Sequence, residues 1–161
     1  MMKRLFRHFA ASLLVLASAC GRVPAPVTVG LEGEGAPEVL IAVRPSEFKE
    51  KIVKQLTDRY QKSAHITVID IDALDEARLE DFDAMVVLGA RMGFLMFSGE
   101  ERRFLNRLRT PERAVMVMTA AVHDWKWDRE DIDVITGASK PSYQASILAR
   151  ITRRLDEILQ N

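Results

Sequence analysis

The chain has one cysteine in 161 residues, 7% aromatic residues and no excess of either charge, with 23 Lys and Arg against 23 Asp and Glu. A lone cysteine excludes a disulfide framework. With 48% apolar residues and no long polar tract, a disordered or collagen-like chain is excluded as well. The histidines His8, His65 and His123 are too scattered to build a metal cluster by ligand spacing. No Gly-x-Ser-x-Gly nucleophile elbow is present, so neither a catalytic residue nor a metal site is assigned. No run reaches the roughly 18 apolar residues of a membrane span. At roughly 100 to 200 residues per domain, there is room for one core.

What is present begins at the amino end. Lys3, Arg4 and Arg7 precede an apolar run, Phe9 to Ala19, which ends in small residues at Cys20. That is the layout of a secretory signal, and the run is too short to cross a bilayer. Removing residues 1–19 leaves 20 basic and 23 acidic residues, a net charge of −3. A nucleic acid is therefore not an expected partner. The segment Leu16-Ala17-Ser18-Ala19-Cys20 resembles the lipobox of bacterial lipoproteins. The resemblance implies cleavage before Cys20 and a diacylated, palmitate-type lipid on that cysteine, whose two chains are enough to anchor the protein stably outside the cytoplasm. Gly21, in place of an acid, implies the outer membrane in a cell with two membranes, and hence a periplasmic face. The alternative is an ordinary signal peptide with a cysteine near its end. Residues 20–37 hold Pro24, Pro26, Pro37, Gly30, Gly33 and Gly35 and are expected to form a flexible tether.

Residues 38–161 alternate strand and helix patterns. Val39 to Val43, His65 to Ile71, Ala84 to Leu88, Val115 to Thr119 and Ile132 to Ile135 are apolar or β-branched and predict five strands. Pro45 and Ser46 open a helix with Phe48, Ile52, Val53, Leu56 and Tyr60 on one stripe. The acidic stretch Ala73 to Asp83 predicts a short helix or loop. Ser98 and Glu101 have capping-box spacing, and a last helix runs from Ser142 to Leu159. Such alternation means a parallel sheet with right-handed crossovers.

These units, with the run Phe82-Asp83-Ala84-Met85-Val86-Val87-Leu88-Gly89 and the loop Ala90 to Gly99 leading into a helix, resemble a flavodoxin-like domain over residues 38–159. The resemblance implies an α/β three-layer sandwich, a five-stranded parallel sheet in the order 2-1-3-4-5, and a ligand site at the carboxyl ends of the strands. In flavodoxins a Ser/Thr- and Gly-rich loop after the first strand holds the FMN phosphate. Here that stretch is Arg44-Pro45-Ser46-Glu47-Phe48, which lacks glycine, loses a donor at Pro45 and gains a negative charge at Glu47. Arg44 and Arg91 remain candidates for a smaller anion, or are solvated surface arginines. The loop Gly89 to Gly99, with Gly93, Phe94 and Phe97, either folds back onto the domain or forms a contact surface for a small ligand, a protein partner or the bilayer. Trp125 and Trp127 face the same way in an extended segment and line a pocket or plug the rim of the sheet.

Asp133-Val134-Ile135-Thr136-Gly137-Ala138-Ser139 resembles the flavinylation motif of sodium-pumping quinone reductase subunits and related electron carriers. That implies Ser139 as the FMN acceptor, with Thr136 and Gly137 in the motif. The alternative is a glycine turn and a serine cap between strand and helix. In the expected order, the last strand lies three steps from the first, about 14 Å at roughly 4.8 Å per step, so Ser139 and Arg44 to Phe48 are not expected to hold one phosphate. Two functions follow: a lipid-anchored accessory binding module, or an extracytoplasmic FMN redox carrier. Cys20→Ala should release the protein from the membrane fraction, and globomycin should block processing; a soluble wild-type protein would refute the anchor.

Overall fold

The computed structural model describes residues 25–31, 33, 35–91, 97–120 and 132–160. In chain order the elements are β1 (Val27–Gly30), β2 (Glu38–Val43), α1 (Glu47–Tyr60), β3 (His65–Asp70), β4 (Ala84–Ala90), α2 (Gly99–Arg107), β5 (Ala114–Ala120), β6 (Asp133–Ala138) and α3 (Pro141–Leu159). The strands form one sheet ordered β1-β3-β2-β4-β5-β6. All neighbours are parallel except β1, which runs antiparallel to β3.

The five expected strands are present in the expected order, but the sheet has six strands and is mixed. Val27–Gly30, inside the stretch expected to be a tether, is the edge strand β1. Pro26 and Gly30 bracket a β-branched Val-Thr-Val, so the residues that suggested a linker are the boundaries of a short strand. Gly30 has φ +125°, and a Cβ there would stand 2.1 Å from the Ala64 carbonyl oxygen. The chain can turn so close to the α1–β3 connection only without a side chain.

The crossover between β3 and β4 is the short helix or loop expected of its acidic stretch. The described residues contain three helices, not a helix after every strand, and this connection is made by 3-10 turns at Ile71–Ala73 and Leu79–Asp81. Its carbonyls find their partner on α2, where the Arg107 guanidinium donates to Leu74 O (3.1 Å), Asp75 O (2.7 Å) and Ala77 O (2.6 Å). Together with its own turn bonds, such as Leu74 N to Ile71 O at 3.1 Å and Glu76 N to Ala73 O at 3.1 Å, this satisfies the connection without an α-helix.

Alternation along the strands divides the core between the two faces. Val39, Ile41, Val86, Leu88, Val115, Val117 and Ile135 pack with Ile52 and Leu56 of α1 and Ile147, Ile151 and Leu155 of α3. Leu40, Ala42, Met85, Val87, Met116 and Met118 pack with Phe104 of α2 and with Ile71, Leu74 and Leu79. Each large side chain so buried contributes roughly 1.5–3 kcal/mol. Polar ties fix the register: Asp83 Oδ2 accepts from Glu38 N at 2.9 Å, and Asp83 N donates to Glu38 O at 2.9 Å, joining the starts of β4 and β2. At the far end of α1, the Tyr60 hydroxyl donates to Asp156 Oδ1 (2.6 Å) and lies 3.1 Å from Thr152 O, binding α1 to α3. Burial, with Asp156 adding, pushes the Tyr60 phenol up to about 12.

The glycines of the amino-terminal segment differ in a way that urea denaturation followed by circular dichroism can check. Gly30→Ala should cost at least about 2 kcal/mol, from both φ and the carbonyl clash. Gly35→Ala has φ +91° but open space around the added methyl, and should cost about 1 kcal/mol; equal costs would mean that β1 is not docked as described.

Candidate functional site

Both α1 and α3 start at the carboxyl edge of the sheet and lie on the same face. Between their first turns opens a cleft of about 510 Å³. The ladder is extended on its floor by backbone bonds: Arg44 N donates to Leu88 O at 3.2 Å, Arg91 N to Thr119 O at 2.9 Å and Ser139 N to Ala120 O at 2.8 Å. Each residue that follows a strand is therefore held in place before its side chain does anything. Arg44, Arg91 and Ser139, singled out in the sequence, all line this cleft. Ser139 and the Arg44 to Phe48 loop both line the cleft, although their strands, β6 and β2, stand three steps apart in the sheet, as in the expected order.

Four basic side chains line the cleft, Arg44, Lys49, Lys51 and Arg91, with one carboxylate, Glu47. Glu47 accepts from Lys51 Nζ at 2.7 Å, and Lys51 holds its carboxyl below the ordinary range. Arg44 reaches Asp72 Oδ1 at 3.3 Å and Glu100 Oε2 at 3.5 Å. Lys49 is 4% exposed and its Nζ donates to Arg44 O at 3.3 Å. Burial brings its ammonium down to about 8; the charge of Glu101 opposes that shift and the charge of Arg44 adds to it. Thr119 is 2% exposed and also lines the cleft, and its Oγ1 has no hydrogen-bond partner among the described residues.

The two helix starts differ. Ser46 caps α1, its Oγ accepting from Lys49 N at 3.4 Å, and Glu47 and Glu50 stand in the first turn. An FMN phosphate does not fit there, because the cap and the acids already occupy that positive end. The start of α3 has Lys140 as its N-cap without a side-chain cap bond, Pro141 in the first turn and no acid. Its partial positive charge is not neutralised locally.

Glu101 underlies the cleft from the other face. It is fully buried, its Oε2 accepts from Ser98 N at 2.7 Å, and Ser98 Oγ accepts from Glu101 N at 3.3 Å, completing the expected capping box. Oε1 lies against Gly89 and the Ala90 backbone without completing a hydrogen bond of normal geometry. A Cβ on Gly89 would be 2.1 Å from that oxygen, so only glycine admits it. Burial raises the Glu101 carboxyl; the Ser98 and Ala90 backbones and the charges of Arg44 and Lys49 oppose this.

The remaining candidates are placed elsewhere. Phe97 is 7% exposed and belongs to the core on the α2 face, so it offers no contact surface. Thr136 and Gly137 lie within β6, where Gly137 is buried and a Cβ on it would stand 2.9 Å from Ile147 Cδ1. An added methyl there would push against the end of the Ile147 side chain of α3. Cys20, Gly93, Phe94, Trp125 and Trp127 lie outside the described residues. The described residues contain no group of three potential metal ligands. Sequence reasoning missed Lys49, Lys51, Glu101 and Thr119 as parts of one site. Lys49 had a visible signal, since it stands three and seven residues before Ile52 and Leu56, on the buried stripe.

The depressed Lys49 sets a pH dependence. The unfolded lysine titrates near 10.5 and the folded one near 8, so between these values the unfolded chain binds more protons and stability rises with pH. Below about 8 both forms are charged and the burial penalty is fully expressed. Chemical denaturation between pH 8 and about 9.5, before unfolded tyrosine ionises near 10 and Tyr60 begins to oppose the trend, should show a gain on the order of 1.5 kcal/mol. Lys49→Met should abolish the gain; a variant with the same slope would remove Lys49 as its source.

No family model and no curated protein sequence matches the chain. Among solved structures, the lysine decarboxylase LdcF of Francisella novicida is similar over 80% of this chain and 18% of that one, with 11% identity and a TM-score of 0.43. This chain therefore spans under a fifth of that protein. The likeness is distant and assigns no family.

Proposed function

We propose that the chain is a lipid-anchored, extracytoplasmic binding module of flavodoxin-like topology that takes an anionic group in the cleft between the starts of α1 and α3. The observation that carries this reading is the gathering of Arg44, Lys49, Lys51 and Arg91 in the lining of that cleft, where Glu47 is the one acidic residue, while Asp72, Glu100 and Glu101 meet Arg44 and Lys49 from outside it. The buried Thr119 hydroxyl, without a hydrogen-bond partner among the described residues, and the uncapped start of α3 supply further donors. The anchor rests on the signal pattern and Cys20. No helix among the described residues is long and apolar enough to cross a membrane, so attachment through the amino-terminal lipid is the route the reading uses.

A second reading is supported by the place of Ser139 in the wall of the same cleft. There FMN joined to Ser139 would lie beside the α3 start, and the protein would be an extracytoplasmic redox carrier. The two readings separate in one preparation. Intact mass of protein from a periplasm that contains a flavin transferase should show no FMN addition on the binding-module reading, and an addition on the peptide from Thr136 to Arg150 on the carrier reading.

Binding is tested with pyrophosphate as probe. Thermal unfolding of the full chain in detergent should shift upward, by about 2.7 kcal/mol of stabilisation at a hundredfold excess over Kd. Arg44→Gln and Arg91→Gln should each weaken the probe about tenfold or more, since each removes a charged donor. An equal shift in both variants, or none in the wild type, would refute the cleft as an anion site.

A further inference from the structure

The register of β1 says where the anchor leaves the domain. Val27 pairs with Val68 and Gly30 with His65, so β1 starts near the carboxyl end of β3 and finishes at its amino end. The chain ahead of Val27 consequently departs toward the carboxyl edge of the parallel strands. This is the edge that holds Arg44, Arg91, Thr119, Ser139 and the cleft. Only the six residues Gly21 to Pro26 separate Cys20 from β1. Fully extended, seven residue steps reach about 25 Å, and as a flexible chain they average roughly 15 Å.

Strands of six and seven residues make the sheet roughly 20 Å tall at about 3.3 Å per residue. To turn its opposite edge to the membrane, the domain would have to lay almost the whole leash, fully stretched, along its own side. From this we infer that the carboxyl edge faces the bilayer that anchors the chain, and that the cleft receives the anionic headgroup of a membrane lipid presented from below. The inference rests on the anchor and the anion cleft proposed above. Of the side chains lining the cleft four are basic and one is acidic; Asp72, Glu100 and Glu101 meet Arg44 and Lys49 from outside that lining, so the basic groups are what a headgroup meets within it. A headgroup also brings its own positioning, because the bilayer holds it at the depth to which the leash holds the cleft.

Because Cys20 is the only cysteine, an introduced thiol can be labelled alone in the acylated protein. Ser142→Cys is exposed at the start of α3, on the carboxyl edge, and Ser63→Cys is exposed between α1 and β3, on the amino edge. Each full-length, acylated variant is labelled with a small fluorophore and reconstituted in vesicles containing phospholipids with nitroxide-labelled headgroups. The probe at residue 142 should be quenched several-fold more than the probe at 63. Replacing phosphatidylethanolamine by phosphatidylglycerol should enlarge that difference, and Arg91→Gln should reverse the enlargement; soluble glycerol phosphate should not produce it. Equal quenching, or stronger quenching at 63, overturns the orientation while leaving the anchor standing. A difference indifferent to phosphatidylglycerol overturns the headgroup as occupant. If wild-type protein takes the label at Cys20 and stays off the vesicles, the anchor fails and this inference fails with it.

Discussion

The buried carboxylate of Glu101 sits on the bare Cα of Gly89, and much of the carboxyl edge is arranged to tolerate its charge. One oxygen closes the cap of α2, which fixes where that helix begins. The other faces β4 with no complete hydrogen bond, and an uncompensated carboxylate in such a place would be costly. The positive charges of Lys49 and Arg44 offset it from the β2 side. Lys49 is in turn buried because Arg44 O accepts from it, and Arg44 is held between Asp72 and Glu100. The cationic lining of the cleft and the buried acid beneath it are thus one electrostatic arrangement, divided between the two faces of the sheet.

This division accounts for what could be read from the residues alone. Periodicity is local, so the continuous apolar runs at Val39 to Val43 and Ala84 to Leu88 and the 3.6-residue stripe of α1 announced themselves. The Ser98 and Glu101 spacing was legible as a cap for the same reason. Its second role was hidden, since nothing near residue 101 in the sequence reveals that Gly89 lies beneath it. Lys49 looked like part of a solvated face because lysine usually is, although its spacing to Ile52 and Leu56 already put it on the buried side. Thr119 ends a strand like many other threonines, and only the sheet order brings it to the cleft.

Composition misled in one place for a physical reason. Proline and glycine mark linkers, but they also mark the ends of short edge strands, and Val27–Gly30 is just long enough for four paired positions. The 3-10 connection before β4 shows the converse. Its residues carry no clear period, and the guanidinium that takes three of its carbonyls, Arg107, stands on another element, which no local pattern can anticipate.

The tie between Tyr60 and α3 has a mechanical meaning for the cleft. Tyr60 ends α1, and Thr152 and Asp156 lie toward the end of α3, so two helices of 14 and 19 residues are pinned together at the ends remote from their starts. Arg59 doubles the pin through Asp156 at 2.9 Å. The starts that flank the cleft thus belong to two helices tied at their other ends, about 20 Å away at roughly 1.5 Å of rise per helical residue, so the pin sets how the pair lies on the sheet without standing in the cleft.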